Sequence, residues 1–247
     1  MTNEPTNERL ASLGLMAMAA AWIEQNRNAD YTALPFDERF SLLIDAEWLA
    51  RQNKRLKRRL AEAKLRMSHA CLEGVDFPAA RKLDKAMIRQ LGTCRWVVEH
   101  QNIVITGATG TGKTYLACAL AHHACLRGHR AIYRRATRLF EELTLAHADG
   151  TYSALLQRLA RVDVLVLDDW GLATPRDVDR RDLLEILEDR CGNRSTVITS
   201  QMPTETWHDH IGNPTLADAI CDRVLSNAHR LVVEGPSRRK ETIPAQS

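Results

Sequence analysis

The chain has 247 residues, is 45% hydrophobic and 26% charged, and sets 34 Lys and Arg against 31 Asp and Glu. These proportions exclude a disordered, collagenous or mucin-like chain and a disulfide-held mini-fold, and the length allows one large domain or one with a smaller companion. The net charge of +3 is too small to announce a polyanionic partner on its own.

Leu10, Leu13, Ala17 and Ala20 fall at helical spacing. The apolar run from Leu13 to Ile23 is far shorter than the roughly 20 residues a membrane span needs. Glu4, Glu8 and Arg9 precede it, unlike the basic start of a signal peptide, so it reads as an internal helix of a cytoplasmic protein with no membrane partner. A second pattern begins at Pro35, a residue favoured in the first turn, and is expected to run unbroken to about Met67, a length of about 48 Å.

Leu49, Leu56, Leu60, Ala63 and Met67 form one stripe of that helix, and basic residues fill most of the remainder. From Arg51 to Arg66 there are eight Lys or Arg and one acid, Glu62, a balance of +7 over sixteen residues. Ordinary solvated faces mix signs at i,i+4, whereas contact with a phosphate backbone needs one sign and no base-specific side chains. Arg51, Lys54, Arg55, Arg58 and Arg59 are therefore candidate DNA contacts; plain solvation or an acidic protein partner are the competing readings. Arg130, Arg134, Arg135 and Arg138 are a second, weaker basic group. Residues 1–95 hold 16 Lys and Arg against 12 acids and residues 96–247 hold 18 against 19, so the chain's excess is concentrated in its first part.

Composition shifts near Gly74 to Pro78, which divides a helical domain, 1–75, from a second domain, 76–247. Ile103 to Thr106 is a short apolar strand entering a glycine loop, and Tyr115 to Leu126 is a helix ended by Gly128. Arg130 to Tyr133 reads as a strand, Thr137 as the cap of the following helix, Val162 to Leu167 as a strand, Asp182 to Arg190 as a helix and Thr196 to Thr199 as another strand. Near-continuous apolar strands joined by helices predict an α/β fold, a parallel sheet sandwiched by helices.

Gly107, Ala108, Thr109, Gly110, Thr111, Gly112, Lys113 and Thr114 fit the phosphate-loop pattern GxxxxGK[ST], with the required strand before and helix after. Glycines let backbone N–H groups turn around phosphates, and the helix start adds its positive dipole end. Lys113 is placed to reach the β- and γ-phosphates of ATP, and the Thr114 hydroxyl to ligate Mg²⁺. The apolar run ending in Asp168-Asp169 delivers carboxylates to the sheet edge where ligands of such folds bind. Asp168 is the expected metal-shell residue. Asp169 is placed to orient or deprotonate the attacking water, with a turn cap before Trp170-Gly171 as the alternative. Ser200-Gln201 delivers further polar groups to the same edge.

Cys71, Cys94, Cys118, Cys125, Cys191 and Cys221 form no CxxC pair and read as reduced thiols. His208-x-His210 and His122-His123 lack a third ligand at recognisable spacing and read as uncoordinated.

The phosphate loop, the Asp-Asp pair followed by Trp-Gly, the run Thr199-Ser200-Gln201-x-Pro203, Trp207-His208, the block from Ile211 to Ile220, Asp222-Arg223, Asn227 to Arg230 and Gly235-x-Ser237-x-Arg239 resemble IstB-type transposition helper ATPases. These are AAA+ proteins related to the DnaC-type helicase loaders, and the resemblance is dense from about residue 100 to 240. It implies an AAA+ P-loop NTPase preceded by a small all-helical domain. By position, Gln201 matches the sensor after the fourth strand, Arg223 the arginine finger inserted into a neighbour's ATP site, and Arg239 the second sensor. A finger in trans raises hydrolysis by about 10³ to 10⁵. Most AAA+ proteins have Glu where this chain has Asp169, so turnover is expected to be slow without a partner. The resemblance implies ATP-dependent self-assembly on duplex DNA, engagement of a transposase and reset by hydrolysis. A helicase loader, which would bind single strands, would place stacking aromatics along its DNA path, and none lie between Arg51 and Arg66. A DNA-binding scaffold using ATP only as an assembly switch is a further competitor.

Overall fold

A computed structural model describes residues 4–238, which fall into two compact units that divide between Arg58 and Arg59. The division lies inside a helix, upstream of the composition shift at Gly74 to Pro78.

The first unit is helical: α1 (Glu4–Ser12), α2 (Met16–Arg27), the one-turn α3 (Ala29–Thr32) and the start of α4 (Phe36–Ala63). The continuous apolar pattern at Leu10 to Ala20 is broken by Gly14, which takes φ +72° between α1 and α2 and so separates what periodicity alone joins. The Glu47 carboxylate, from the middle of α4, accepts the backbone N–H groups of Ala17 and Met18 at 3.0 and 3.1 Å and thereby caps α2 from another helix. Arg51 donates to the same carboxylate at 2.7 Å, and with the two caps it holds the Glu47 carboxyl below its usual range. Gln25, which is buried, donates to the Arg39 carbonyl at 2.8 Å.

α4 ends at Ala63, one turn short of the expected Met67, because Lys64 takes φ +50°. A left-handed residue cannot continue the helix. Arg66 and Met67 therefore belong to the loop that follows, not to the basic helix.

In the second unit a loop leads to α5 (Lys85–Gly92) and α6 (Arg95–Val98). Five strands follow: β1 (Asn102–Thr106), β2 (Ala131–Arg135), β3 (Val164–Trp170), β4 (Ser195–Ser200) and β5 (Ala228–Val232). They form one parallel sheet in the order β2-β3-β4-β1-β5. The expected strands are all present; β5 was not separated from its motif by sequence. Between them lie α7 (Lys113–Leu126), α8 (Ala136–Asp149), α9 (Tyr152–Arg161), α10 (Asp177–Arg190), α11 (Trp207–Ile211) and α12 (Pro214–Leu225). Thr137 does not cap α8: Arg135 stands at the N-cap position and no side chain bonds there.

The strands are apolar because both faces are covered. Leu165, Val166 and Ile103 are fully buried, as is most of α7, and each such side chain contributes about 1.5–3 kcal/mol. Arg190 is also buried and donates to the carbonyls of Leu159, Val162 and Ser195, tying α9 and α10 to the sheet. All six cysteines are free thiols; burial pushes those of Cys118 and Cys125 up to about 11, so they are inert core residues. Among the described residues no helix is long and apolar enough to cross a membrane.

Candidate nucleotide-binding site

β1 runs into the loop Gly107–Gly112, and α7 begins at Lys113 behind it. A side chain at Gly107 would meet the Val233 carbonyl oxygen at 2.0 Å, and one at Gly110 would meet Ser237 at 2.1 Å, so glycine is obligatory where residues 233–238 cross the loop. The Arg238 N–H donates to the Gly110 carbonyl at 3.1 Å. The Lys113 ammonium, largely buried, donates to the carbonyls of Gly107 and Ala108 at 2.7 and 2.8 Å, which holds it over the curve of the loop.

The acid pair lies across from it. Asp168 is fully buried, and its carboxylate accepts four contacts from hydroxyls: Thr114 at 3.0 and 3.1 Å, Thr199 at 2.5 Å and Tyr133 at 2.5 Å. Burial and the bond to Asp168 push the Tyr133 phenol well above its usual range, so it stays a proton donor. A buried carboxylate facing the phosphate-loop threonine is the donor set a hard divalent cation takes, with oxygen ligands only.

Asp169 is placed by backbone geometry. Successive strand residues point to opposite faces, yet both carboxylates come within reach of Arg66, at 3.7 Å for Asp168 and 3.5 Å for Asp169. A register shift between Leu167 and Trp170 breaks the β3–β4 ladder, and Asp169 takes φ +60° within it. A bulge re-aims a side chain in this way. The Asp169 N–H donates to the Thr199 hydroxyl at 3.0 Å, and that hydroxyl donates to Asp168, so Thr199 links the two acids. Arg135, from the end of β2, also pairs with Asp169 at 3.2 Å.

Gln201 follows β4, the strand between β3 and β1, and its side-chain oxygen accepts the Thr109 hydroxyl at 2.6 Å. A cavity of about 430 Å³ opens among these groups, lined by the phosphate loop, Asp169, Gln201, Tyr115, Arg81 and Arg238. Arg81 is buried and donates to the Thr111 carbonyl at 3.1 Å and to Asp76 at 2.6 Å. Burial opposes ionisation of Asp76, but Arg238 and Arg81 together hold its carboxyl below the usual range. The cavity has the size of ligand sites.

Arg223 does not join this cluster. It sits in the last turn of α12, with its guanidinium on the Glu188 carboxylate and the Ala219 carbonyl. The Asn102 side chain, at the start of β1, donates to the carbonyl of Arg223 at 3.0 Å. The phosphate loop leaves the opposite end of that strand, about 13–17 Å away at about 3.3 Å per residue, so Arg223 cannot serve its own chain's site. Arg239 lies outside the described residues.

Of the basic-helix residues, Arg51 is committed to Glu47, while Lys54 and Arg55 are exposed. The arginines of the second basic group each face a carboxylate. Arg130 pairs with Glu62 at 3.3 Å, buried Arg134 with Glu142 at 2.8 Å, Arg135 with Asp169 and Arg138 with Glu141 at 2.7 Å, so carboxylates neutralise it.

Sequence reasoning missed Tyr133, Thr199, Arg66, Arg81 and Arg238. Thr199 was legible only as a strand end. Replacing it by Val should leave the half-buried Asp169 N–H without this partner, at a cost of about 1 kcal/mol. It should slow phosphate release by about tenfold or more with a smaller change in nucleotide affinity, while Thr199→Ser keeps both. Equal loss in the serine variant would exclude the hydroxyl's role.

The model of the IstB-like ATP-binding protein family matches residues 8–245. The chain belongs to that family. It is 46% identical over 240 residues to an insertion-sequence ATP-binding protein of Sinorhizobium fredii, covering 97% of this chain and 98% of the relative. It is 30% identical over 235 residues to an ATP-binding protein in an insertion sequence of Mycobacterium tuberculosis, covering 95% and 92%. Among solved structures it is similar to DnaI, with a TM-score of 0.58 and 25% identity over 72% of this chain and 93% of that one. It shares its fold with the DnaC helicase loader, with a TM-score of 0.57 and 21% identity over 67% of this chain and 97% of that one. The AAA+ P-loop fold with a helical N-terminal region is thereby established, and this is an IstB-like ATP-binding protein of the insertion-sequence type.

Proposed function

We propose that this IstB-like protein hydrolyses ATP and acts as a DNA-transposition helper that assembles on duplex DNA and engages a transposase. The observation that carries the reading is the buried Asp168 carboxylate 3.0 Å from the Thr114 hydroxyl, with Asp169 turned toward the same cavity by the bulge. Bound Mg²⁺ would neutralise charge on the phosphates. Lys113 binds the β- and γ-phosphates, Asp169 orients the attacking water and accepts its proton, and Gln201 fixes the far side of the γ-phosphate. Arg223 is supplied to the site of a neighbouring protomer, because it faces away from its own. Arg239 is assigned to the lid side by its place in the family motif.

Two expected outcomes test this reading. Lys113→Ala should lower ATP affinity by about 100-fold or more, since a charge-assisted pair in a largely buried site is worth about 3 kcal/mol or more; titration with a fluorescent nucleotide measures it. Replacing Lys54, Arg55, Arg58 and Arg59 together by Glu should weaken duplex binding alike at all sequences and flatten the salt dependence by about 3 to 4 logarithmic units per decade. Unchanged, salt-independent binding would remove the basic helix from the DNA path. Phosphate release measured with and without duplex separates the helper from an assembly scaffold: ATP-dependent assembly with no release at any protein concentration favours the scaffold.

A further inference from the structure

A buried carboxylate stays charged only where cations or hydrogen bonds compensate its lost hydration. Asp168 takes close contacts from the hydroxyls of Thr114, Thr199 and Tyr133. These carry no charge. The Arg66 guanidinium brings one, 3.7 Å from Asp168 and 3.5 Å from Asp169, and it also donates to the Tyr133 phenol oxygen. With Arg135 on Asp169 at 3.2 Å, two guanidiniums stand against two carboxylates. That is the charge a divalent cation would bring to the same oxygens.

The segment that carries Arg66 is anchored, whereas its side chain is not. Ala63 and Ala70, on either side of it in the chain, are fully buried. The Tyr115 hydroxyl, on α7, accepts the Cys71 N–H at 3.4 Å and donates to the Cys71 carbonyl at 3.3 Å. Met67 lines the nucleotide cavity. The Arg66 side chain, by contrast, is 43% exposed, and its contacts with the acids are longer than the roughly 2.7–2.9 Å of a tight charge-assisted hydrogen bond. Arg81 and Arg190, which fix the fold, are 5% and 1% exposed. Arg66 can therefore withdraw into water while its backbone stays in place.

We infer that Arg66 is a tethered counter-ion that holds the acid pair in the metal-free chain, competes with the divalent cation for it, and so sets the site's affinity for metal. The inference rests on the reading of Asp168 as the metal-shell residue and deepens it. A cation entering between Thr114 and Asp168 meets acids already balanced by arginines, so binding requires Arg66 to yield. Removing Arg66 leaves the acids under-compensated, which destabilises the metal-free chain and favours the metal-bound one.

Mn²⁺ is the probe, added to the full chain without nucleotide, with the free metal read by electron paramagnetic resonance. The component of binding lost in Asp168→Asn belongs to this site. Arg66→Gln is expected to tighten that component about fivefold or more, the scale of a half-exposed charge that reaches two carboxylates. Arg138→Gln, which removes an equal charge paired with Glu141, should leave it within about twofold. In EDTA, Arg66→Gln should melt below the parent, and Mn²⁺ should raise its melting temperature by more than it raises the parent's. Unchanged or weaker Mn²⁺ affinity in Arg66→Gln overturns the inference while leaving the metal-shell reading in place. Equal tightening in Arg138→Gln, or a melting loss of the same size with and without Mn²⁺, overturns it in the same way. Absence of an Asp168-dependent component in the parent and in Arg66→Gln alike overturns the metal-shell reading, and the inference with it.

Discussion

Asp169→Asn is expected to bind ATP within about threefold of the parent while releasing phosphate about 10² to 10⁴ times more slowly, the range for loss of a general base. The amide fills the same space and leaves the backbone N–H on the Thr199 hydroxyl, so the bulge persists. What is lost is the acceptor for the water's proton. The ion pairs to Arg66 and Arg135 also weaken, but both arginine side chains are more than 40% exposed, and such pairs contribute about 0–1 kcal/mol. The melting temperature should therefore move little. Parallel nucleotide titration and phosphate-release assays check the prediction; a variant that lost binding and hydrolysis together would place Asp169 in the binding shell.

Arg223→Ala should be as severe by a different route. Removing a finger supplied in trans lowers hydrolysis by about 10³ to 10⁵, and nucleotide affinity of the isolated chain should be unchanged because no part of its own cavity includes Arg223. The geometry makes the stronger test a mixture. Neither Arg223→Ala nor Asp169→Asn should hydrolyse ATP alone. Together they should regain activity, since an Arg223→Ala protomer keeps its acids and receives the intact finger of an Asp169→Asn neighbour. No recovery on mixing, under conditions where the parent assembles, would refute the role in trans. Glu188 holds the guanidinium in the single chain and keeps it charged, so the proposed role in trans requires Arg223 to exchange that carboxylate for a neighbour's phosphate.

Much of the site was legible because it is local. The phosphate loop is eight consecutive residues between a strand and a helix, and its glycines answer to steric demands that any chain placing backbone against backbone must meet. Asp168 was legible from the apolar run that delivers it to the sheet edge. The basic run on α4 was legible as charge, though its end was not: nothing in the residue type of Lys64 announces φ +50°, and so Arg66 was read on a helix when it belongs to the site. The pairing of Arg130, Arg134, Arg135 and Arg138 was not legible, because their partners Glu62, Glu141, Glu142 and Asp169 come partly from other elements.

The sequence by itself determined the family, the parallel sheet, the phosphate loop and the acid pair, since periodicity and motif spacing are properties of neighbours along the chain. Only the tertiary structure decided that Asp168 and Asp169 converge. A strand alternates its side chains, and it takes the unpaired register against β4, with Thr199 holding the Asp169 N–H, to turn the second carboxylate to the side of the first. It also decided that Arg81 and Arg238 line the cavity together, both held by Asp76, which is 162 residues from Arg238 in the chain. Arg223, equally plain as an arginine in the sequence, it sent to the other edge of the sheet. Which charges meet depends on strand order and register, and these are settled by packing across the whole core rather than by any local stretch of residues.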